Sequence, residues 1–294
     1  MSIAIIINPV SGGAGQSQPR ARAELAATTI EQLGEAADVL VTERAGHARL
    51  LAAAAVKRGA RLVIAWGGDG TINEVASALA FGPVPLGIVP AGSGNGLAAE
   101  LGIQRIPERA IAAAAHAIPS SIDMGEIGGR LFVNVAGIGL DAHVAAQFNS
   151  AGNRRRGFPG YLRIGVWAML TYVPSTYTIS TEEDRIVVRA VLVVIANSAQ
   201  YGNGAQIAPG AKVDDGELDI VVVEERSRLL TCWRAPRLFN GTVDKVSGYS
   251  IRRTREVRIA SADPMAFHVD GEPVQGGTEL KARVHPKALR VCAG

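Results

Sequence analysis

Residues 61–74 read RLVIAWGGDGTINE: an apolar run breaks into Gly67-Gly68-Asp69-Gly70-Thr71, then apolar residues return at helical spacing at Ile72, Val75, Ala76 and Leu79. A strand, a glycine turn and a helix start aim several backbone N–H groups and the positive end of a helix dipole at one spot, which suits a phosphate. Glycines there let the backbone approach a ligand closely and take φ > 0 without a Cβ clash. Asp69 adds a carboxylate to this cradle, which points to a divalent cation or a polarised hydroxyl. The same residues also suit a plain strand-to-helix connection in which Asp69 or Thr71 caps the helix. Two Asp-Gly turns lie further on, in Lys212-Val213-Asp214-Asp215-Gly216-Glu217 and in Phe267-His268-Val269-Asp270-Gly271-Glu272. Read locally, both are hairpin signals.

These turns need a frame. Residues 3–8 form an apolar strand that ends in Asn8-Pro9-Val10-Ser11-Gly12. A helical pattern follows over about 20–33, then a strand at 39–41, a helix at 48–57, the strand 62–66, a helix at 71–79 and a strand at 86–89. The last ends in Pro90-Ala91-Gly92-Ser93-Gly94-Asn95-Gly96. Continuous apolar strands separated by helices predict a doubly wound parallel sheet. The turns after its first, third and fourth strands meet at the carboxyl edge, where such sheets bind ligands. From about residue 118 the pattern turns strand-like, at 131–135, 177–180, 186–196, 218–223, 257–260, 266–270 and 280–285. This predicts two packed antiparallel layers, a β-sandwich. The fold class is therefore α/β, with an α/β domain over 1–122 and a β-rich domain over 123–294, whose C-terminal tail is free to return to the first.

Lys+Arg outnumber Asp+Glu by only 30 to 27, and hydrophobic residues make up 48% against 19% charged. The pI is near 9.0. That is the composition of a globular protein, and it is too mildly basic to argue for nucleic acid. Cys232 and Cys292 lie far apart and call for neither a disulfide framework nor a metal site, as in a reducing compartment. The chain begins without a signal pattern and no apolar stretch reaches membrane-span length, so a soluble cytoplasmic protein is expected. Residues 161–172, YLRIGVWAMLTY, read as a buried core helix. The preceding NRRRGFP at 153–159 suits either an anionic membrane surface or a solvated loop. His47, His116, His143, His268 and His285 show no metal-ligand spacing and read as ordinary residues. No Gly-x-Ser-x-Gly or ordered triad suggests a hydrolase. No Gly-Lys-Thr/Ser follows the glycine loops, so phosphate charge falls to backbone dipoles, magnesium and arginines.

As an ordered set, the three glycine loops and the two Asp-Gly turns resemble the bacterial diacylglycerol kinase and sphingosine kinase lipid kinases, whose catalytic domain is related to NAD kinase and phosphofructokinase. The resemblance covers nearly the whole chain. It implies an NAD kinase-like nucleotide domain with ATP as phosphoryl donor, lined by Asn8, Ser11, Gly12, Thr42, Gly67, Gly68, Gly70, Thr71 and Ser93. Asp69 and Asn73 then lie close to the triphosphate, and Glu74 is the next acidic position. The resemblance also implies that Asp270 or Glu272 is the general base, the other orienting it or binding metal. Asp215, with the carbonyls of Lys212 and Glu217, would hold a magnesium ion. Asp141, in AGIGLDA, would contact the acceptor hydroxyl or the metal network, with a helix cap as the local alternative. Asn95-Gly96 stands where many diacylglycerol kinase relatives have Asn-Asp, which is closer to the sphingosine kinase branch. The implied reaction is ATP- and Mg-dependent phosphorylation of a lipid hydroxyl, on diacylglycerol or a sphingoid-type lipid. The lipid would lie between the domains, with transient visits to the inner membrane face and a homodimer left open. A soluble acceptor such as NAD and a non-catalytic lipid-binding role are the alternatives. Alanine at Asp69 or Asp270 is expected to abolish turnover with the fold intact.

Overall fold

The computed structural model describes residues 2–12, 19–150, 165, 167–227 and 233–293. Its contacts divide the chain into two units, Met1–Ile122 with Lys287–Gly294, and Asp123–Pro286.

The first unit runs β1 (Ile3–Ile7), α1 (Pro19–Gln32), β2 (Ala37–Val41), α2 (His47–Lys57), β3 (Leu62–Gly67), α3 (Asp69–Leu79), β4 (Leu86–Pro90), α4 (Gly96–Glu100) and α5 (Pro107–His116). The sheet order is β4-β3-β1-β2, all parallel, and the last residues of the chain's final strand, Val291 and Cys292, add in parallel beside Leu86 and Gly87. β1 and β3 are apolar throughout because helices cover both faces of the sheet. Ile3, Ile5, Ile6 and Ile7 are all 0% exposed, and each buried isoleucine contributes on the order of 2–3 kcal/mol of transfer free energy. Ala26 and Ile30 of α1 and Ile111 and Ala114 of α5 join Ile5, Ile64 and Trp66 in one core. Ile7 pairs with Trp66, and Gly67 with Pro90. That register makes the loops after β1, β3 and β4 start level from one edge.

The chain passes into the second unit through β5 (Ser120–Ile127). There follow β6 (Arg130–Phe132), β7 (Val135–Gly139), α6 (Leu140–Ser150), β8 (Ser175–Ser180), β9 (Arg185–Ala196), β10 (Gln200–Gly202), β11 (Ala205–Gln206), β12 (Leu218–Glu224), β13 (Tyr249–Thr254), β14 (Glu256–Ser261), β15 (Ala266–Val269), β16 (Glu272–Gln275) and β17 (Glu279–Cys292). The antiparallel order is β16-β15-β7-β9-β8-β14-β17. β9 organises the unit: its first half pairs with β8, and its second half with both β7 and β12. Phe132, Ile138, Tyr177, Val193, Ile220, Ile259 and Phe267 form the core.

Three differences from the sequence pattern have physical causes. The single strand expected over 131–135 is split into β6 and β7, because the N–H groups of Val133, Asn134 and Val135 all donate to the Asp270 carboxylate. An unexpected helix, α6, begins directly at the end of β7, where Gly139 turns the chain with a left-handed φ of 89°. The described part of 161–172 is not wholly buried: it is helical at 165 and over 167–171, with Ala168 fully buried but Trp167 59% and Leu170 42% exposed. Among the described residues of this stretch, Ala168, Met169 and Tyr172 pack against Leu140, Val144 and Val191. Residues 153–159, 161–164, 166 and Cys232 lie outside the described residues. No helix among the described residues is long and apolar enough to cross a membrane.

Candidate active site

At the carboxyl edge of the parallel sheet the loops are bonded to one another. Asn8 Nδ2 donates to Thr71 Oγ1 at 2.9 Å. Thr71 folds back over Gly67, where an added Cβ would lie 2.5 Å from the threonine Cβ. The β3 and β4 loops meet backbone to backbone: a Cβ on Gly92 would lie 2.6 Å from the Gly68 Cα. None of Gly67, Gly68 and Gly70 has a positive φ, while Gly12 in the first loop does, at 93°. Gly67 and Gly68 are therefore required for close approach, and the expected left-handed backbone does not occur in this turn.

Asp69 occupies the first turn of α3 and bonds across to the other loop. Its Oδ2 accepts from Asn95 N at 2.8 Å and its Oδ1 from Gly96 N at 2.7 Å. Burial pushes its carboxyl pKa up, against these two N–H bonds and a third from its own amide. Asn95, itself in the left-handed region (φ 51°) and 4% exposed, closes the second loop by bonding Gly92 through both ends of its amide. Glu74 turns away from this cluster, its two oxygens accepting from Gly46 N and Ala48 N at the start of α2. Thr42 is buried at the end of β2, with its N–H on Ile7 O. Asn73 accepts from Ser77 Oγ at 3.3 Å, and Ser93 is exposed.

One residue of this edge went unread in the sequence. Arg22 of α1 is 2% exposed. Its guanidinium donates to Asn8 O (3.0 Å), Ser11 Oγ (3.2 Å) and Ser11 O (2.9 Å), and lies 5.9 Å from the Trp66 ring centroid. The signal was available, since Arg22 falls on the apolar stripe of α1 with Ala26, Thr29 and Ile30. An arginine in such a stripe is buried only when its donors are met.

In the second unit, Val269 pairs with Glu272 across a two-residue hairpin turn made by Asp270 and Gly271. Asp270 (φ 47°) and Gly271 (φ 86°) are both left-handed, so the turn is of the Asp-Gly hairpin kind as well as a candidate acid site. The Asp270 carboxylate is 8% exposed and accepts three backbone bonds, from Val133 N at 2.8 Å, Asn134 N at 2.9 Å and Val135 N at 3.1 Å. Glu272 is exposed. Removing Asp270 strips acceptors from three buried N–H groups, so Asp270→Ala is expected to cost stability as well as turnover.

The other Asp-Gly turn is tied to this one. Gly216 N donates to Asp123 Oδ2 at 2.7 Å; Asn197 Nδ2 bridges Asp123 O and Val133 O; Val133 N reaches Asp270. Asp215 is exposed, with its Oδ1 on Glu217 N at 3.1 Å. Burial raises the Asp219 carboxyl pKa, Arg253 opposes this, and the charges of Asp215 and Glu217 add to the rise. Oxygen donors in a local excess of negative charge fit a hard cation such as magnesium. Among the described residues no group of three or more His, Cys, Asp or Glu side chains could hold a metal. Main-chain carbonyls such as those of Lys212 and Glu217 would have to complete any shell.

Asp141 opens α6 and is 5% exposed. Its Oδ2 lies 2.5 Å from His268 Nε2. His268, read in the sequence as ordinary, is 4% exposed, and its Nδ1 accepts from Gly271 N at 3.2 Å. Burial disfavours an imidazolium there, while the Asp141 carboxylate and the Asp270 charge outweigh burial and raise the pKa. The Gly271 N–H at Nδ1 works against that protonation.

Residues 2–127 match the diacylglycerol kinase catalytic domain, and residues 134–293 match the YegS C-terminal NAD kinase beta sandwich-like domain. A Pseudomonas aeruginosa PAO1 protein named probable lipid kinase YegS-like is 30% identical over 280 residues, 95% of this chain and 90% of that protein. A protein of the same name from Pseudomonas syringae pv. syringae is 31% identical over 257 residues, 86% and 83% of the two chains. The structure of a diacylglycerol kinase from Bacillus anthracis str. Sterne covers all of this chain with a TM-score of 0.77 at 18% identity, with 97% of that chain covered. At that identity the likeness speaks for the fold.

Proposed function

Because the chain belongs to the family of lipid kinases built from a diacylglycerol kinase catalytic domain and a YegS-type C-terminal domain, we propose that it transfers the γ-phosphoryl group of ATP to a lipid hydroxyl with Glu272 as the base. The donor half comes from the first unit. Backbone N–H groups of the loops after β1, β3 and β4 receive the phosphates, with the hydroxyls of Ser11, Thr42, Thr71 and Ser93 as further donors and Asn8 and Asn73 beside them. Arg22 adds one positive charge near Ser11. Asp69 serves this half by fastening the Asn95-Gly96 backbone to the start of α3.

The acceptor half comes from the second unit. The lipid oxygen attacks the γ-phosphorus, its proton passes to the Glu272 carboxylate, and the bond to the β-phosphate oxygen breaks to leave ADP. Asp270 holds the turn that carries Glu272. Asp215 with the Lys212 and Glu217 carbonyls would hold a magnesium ion, which would supply positive charge to the acidic turn.

The observation that carries the choice of base is the contrast within one turn: three backbone N–H groups occupy the Asp270 carboxylate, and Glu272 is exposed. The test is Glu272→Gln, assayed with radiolabelled ATP on total lipid extract and on NAD. We expect kcat to fall by about 100-fold or more with unchanged Tm and label confined to lipid. A wild-type rate in that variant sinks the base assignment, and label in NAD alone sinks the lipid acceptor.

A further inference from the structure

We propose that His268 is a positioning residue for the turn that carries Glu272, acting through the Gly271 amide; the inference rests on Glu272 being the base. The Asp270–Gly271 turn has positive φ at both central residues. A turn of this kind interconverts with its II′ relative by rotation of the central peptide, the one that contains the Gly271 N–H. Whatever holds that N–H decides which turn the strand pair adopts. Here that N–H donates to His268 Nδ1 at 3.2 Å.

An imidazole nitrogen that accepts a backbone N–H carries no proton, so Nε2 must carry it and donate to Asp141. Asp141 thereby selects the tautomer that can receive Gly271. Three elements are shaped around this pair. His268 sits on β15 opposite Gly137 of β7, and Asp141 comes from the first turn of α6. Gly137 has no side chain to offer: a Cβ there would lie 1.9 Å from Asp141 Oδ2 and 2.5 Å from His268 Nε2. The turn is thus held from two sides, by the 133–135 amides on the Asp270 carboxylate and by His268 on the Gly271 amide.

Two amide substitutions separate this role from packing. In His268→Gln the amide nitrogen reaches the Nε2 position and keeps a donor for Asp141, while the acceptor for Gly271 is lost. In His268→Asn the amide oxygen reaches the Nδ1 position and keeps that acceptor, while the Asp141 contact is lost. We expect His268→Gln to lower kcat about 10- to 100-fold with KM for ATP unchanged, as a small misplacement of a catalytic group does. Hydrogen exchange at the Gly271 amide should accelerate by about tenfold or more in the same variant, and His268→Asn should recover most of both losses. Equal losses in the two variants, matched by equal falls in Tm, would overturn the inference in favour of packing. Unchanged Gly271 protection in His268→Gln overturns it whatever the kinase rates. If Gly271 responds as expected while Glu272→Gln turns over normally, the base assignment fails and the Asp141–His268–Gly271 contact stands.

Discussion

Asp270 and Glu272 stand two residues apart, and the fold uses them in opposite ways. Asp270 is held in the left-handed region with its carboxylate spent on the three amides of residues 133–135. Asp270→Ala should therefore destabilise the protein by about 3 kcal/mol or more, since each buried N–H left without an acceptor costs roughly 1–3 kcal/mol. Asp270→Asn, which keeps one oxygen, should cost about half as much. Urea unfolding measures both, and equal midpoints for wild type and Asp270→Ala would remove the anchoring role. The turn was legible in the sequence, because Asp-Gly between strand-like runs is a strong hairpin signal; that it carries a base came only from the family resemblance. The division of labour between Asp270 and Glu272 was not legible, because it depends on amides more than 130 positions away in the chain.

At the level of elements, the glycine loops act as a welded pair. Gly92→Ala puts a Cβ 2.6 Å from the Gly68 Cα, and a backbone atom cannot swing aside as a side chain can. An overpacking strain of about 1–3 kcal/mol should then part the loops and weaken binding of a non-hydrolysable ATP analogue roughly ten- to 100-fold in calorimetry. Undiminished affinity would show that the loop contact does not shape the donor pocket. A second element contact predicts a pH dependence. Glu126 of β5 bonds His285 at 2.6 Å and Arg283 at 2.9 Å on β17. Burial would raise its carboxyl pKa, but these two partners outweigh burial and hold it below the ordinary 4.5. A depressed folded-state pKa means stabilisation that is present above the unfolded value and is lost as pH falls through the folded one. Glu126→Gln should cost about 1 kcal/mol at pH 6 and nothing once wild-type Glu126 is itself protonated. The cost should shrink as pH falls below the ordinary 4.5 and through the depressed folded value; a cost that stays constant throughout the acid range would contradict the assignment.

At the scale of the molecule, the second unit exposes Trp167 (59%), Leu170 (42%) and Val173 (68%) at one helix end. Were this patch to contact a membrane, Trp167→Ser would weaken flotation with anionic vesicles by roughly tenfold, the transfer free energy of one large apolar side chain. Flotation equal to wild type would remove the patch from that role. The parallel sheet, the positions of its glycine loops and the two acidic turns could be read from the chain alone. Apolar runs bounded by glycine have little choice of structure, and backbone binding sites leave their mark in local sequence. Other features only the tertiary structure decided: that the Gly67-Gly68-Asp69-Gly70 turn clamps the Asn95-Gly96 loop through Asp69, that Gly67 and Gly68 serve close approach, that Glu74 holds α2, and that His268, which reads as an ordinary residue, accepts from the Gly271 amide. A hydrogen bond is set by where two distant strands are brought together, and a residue type carries no record of its partner.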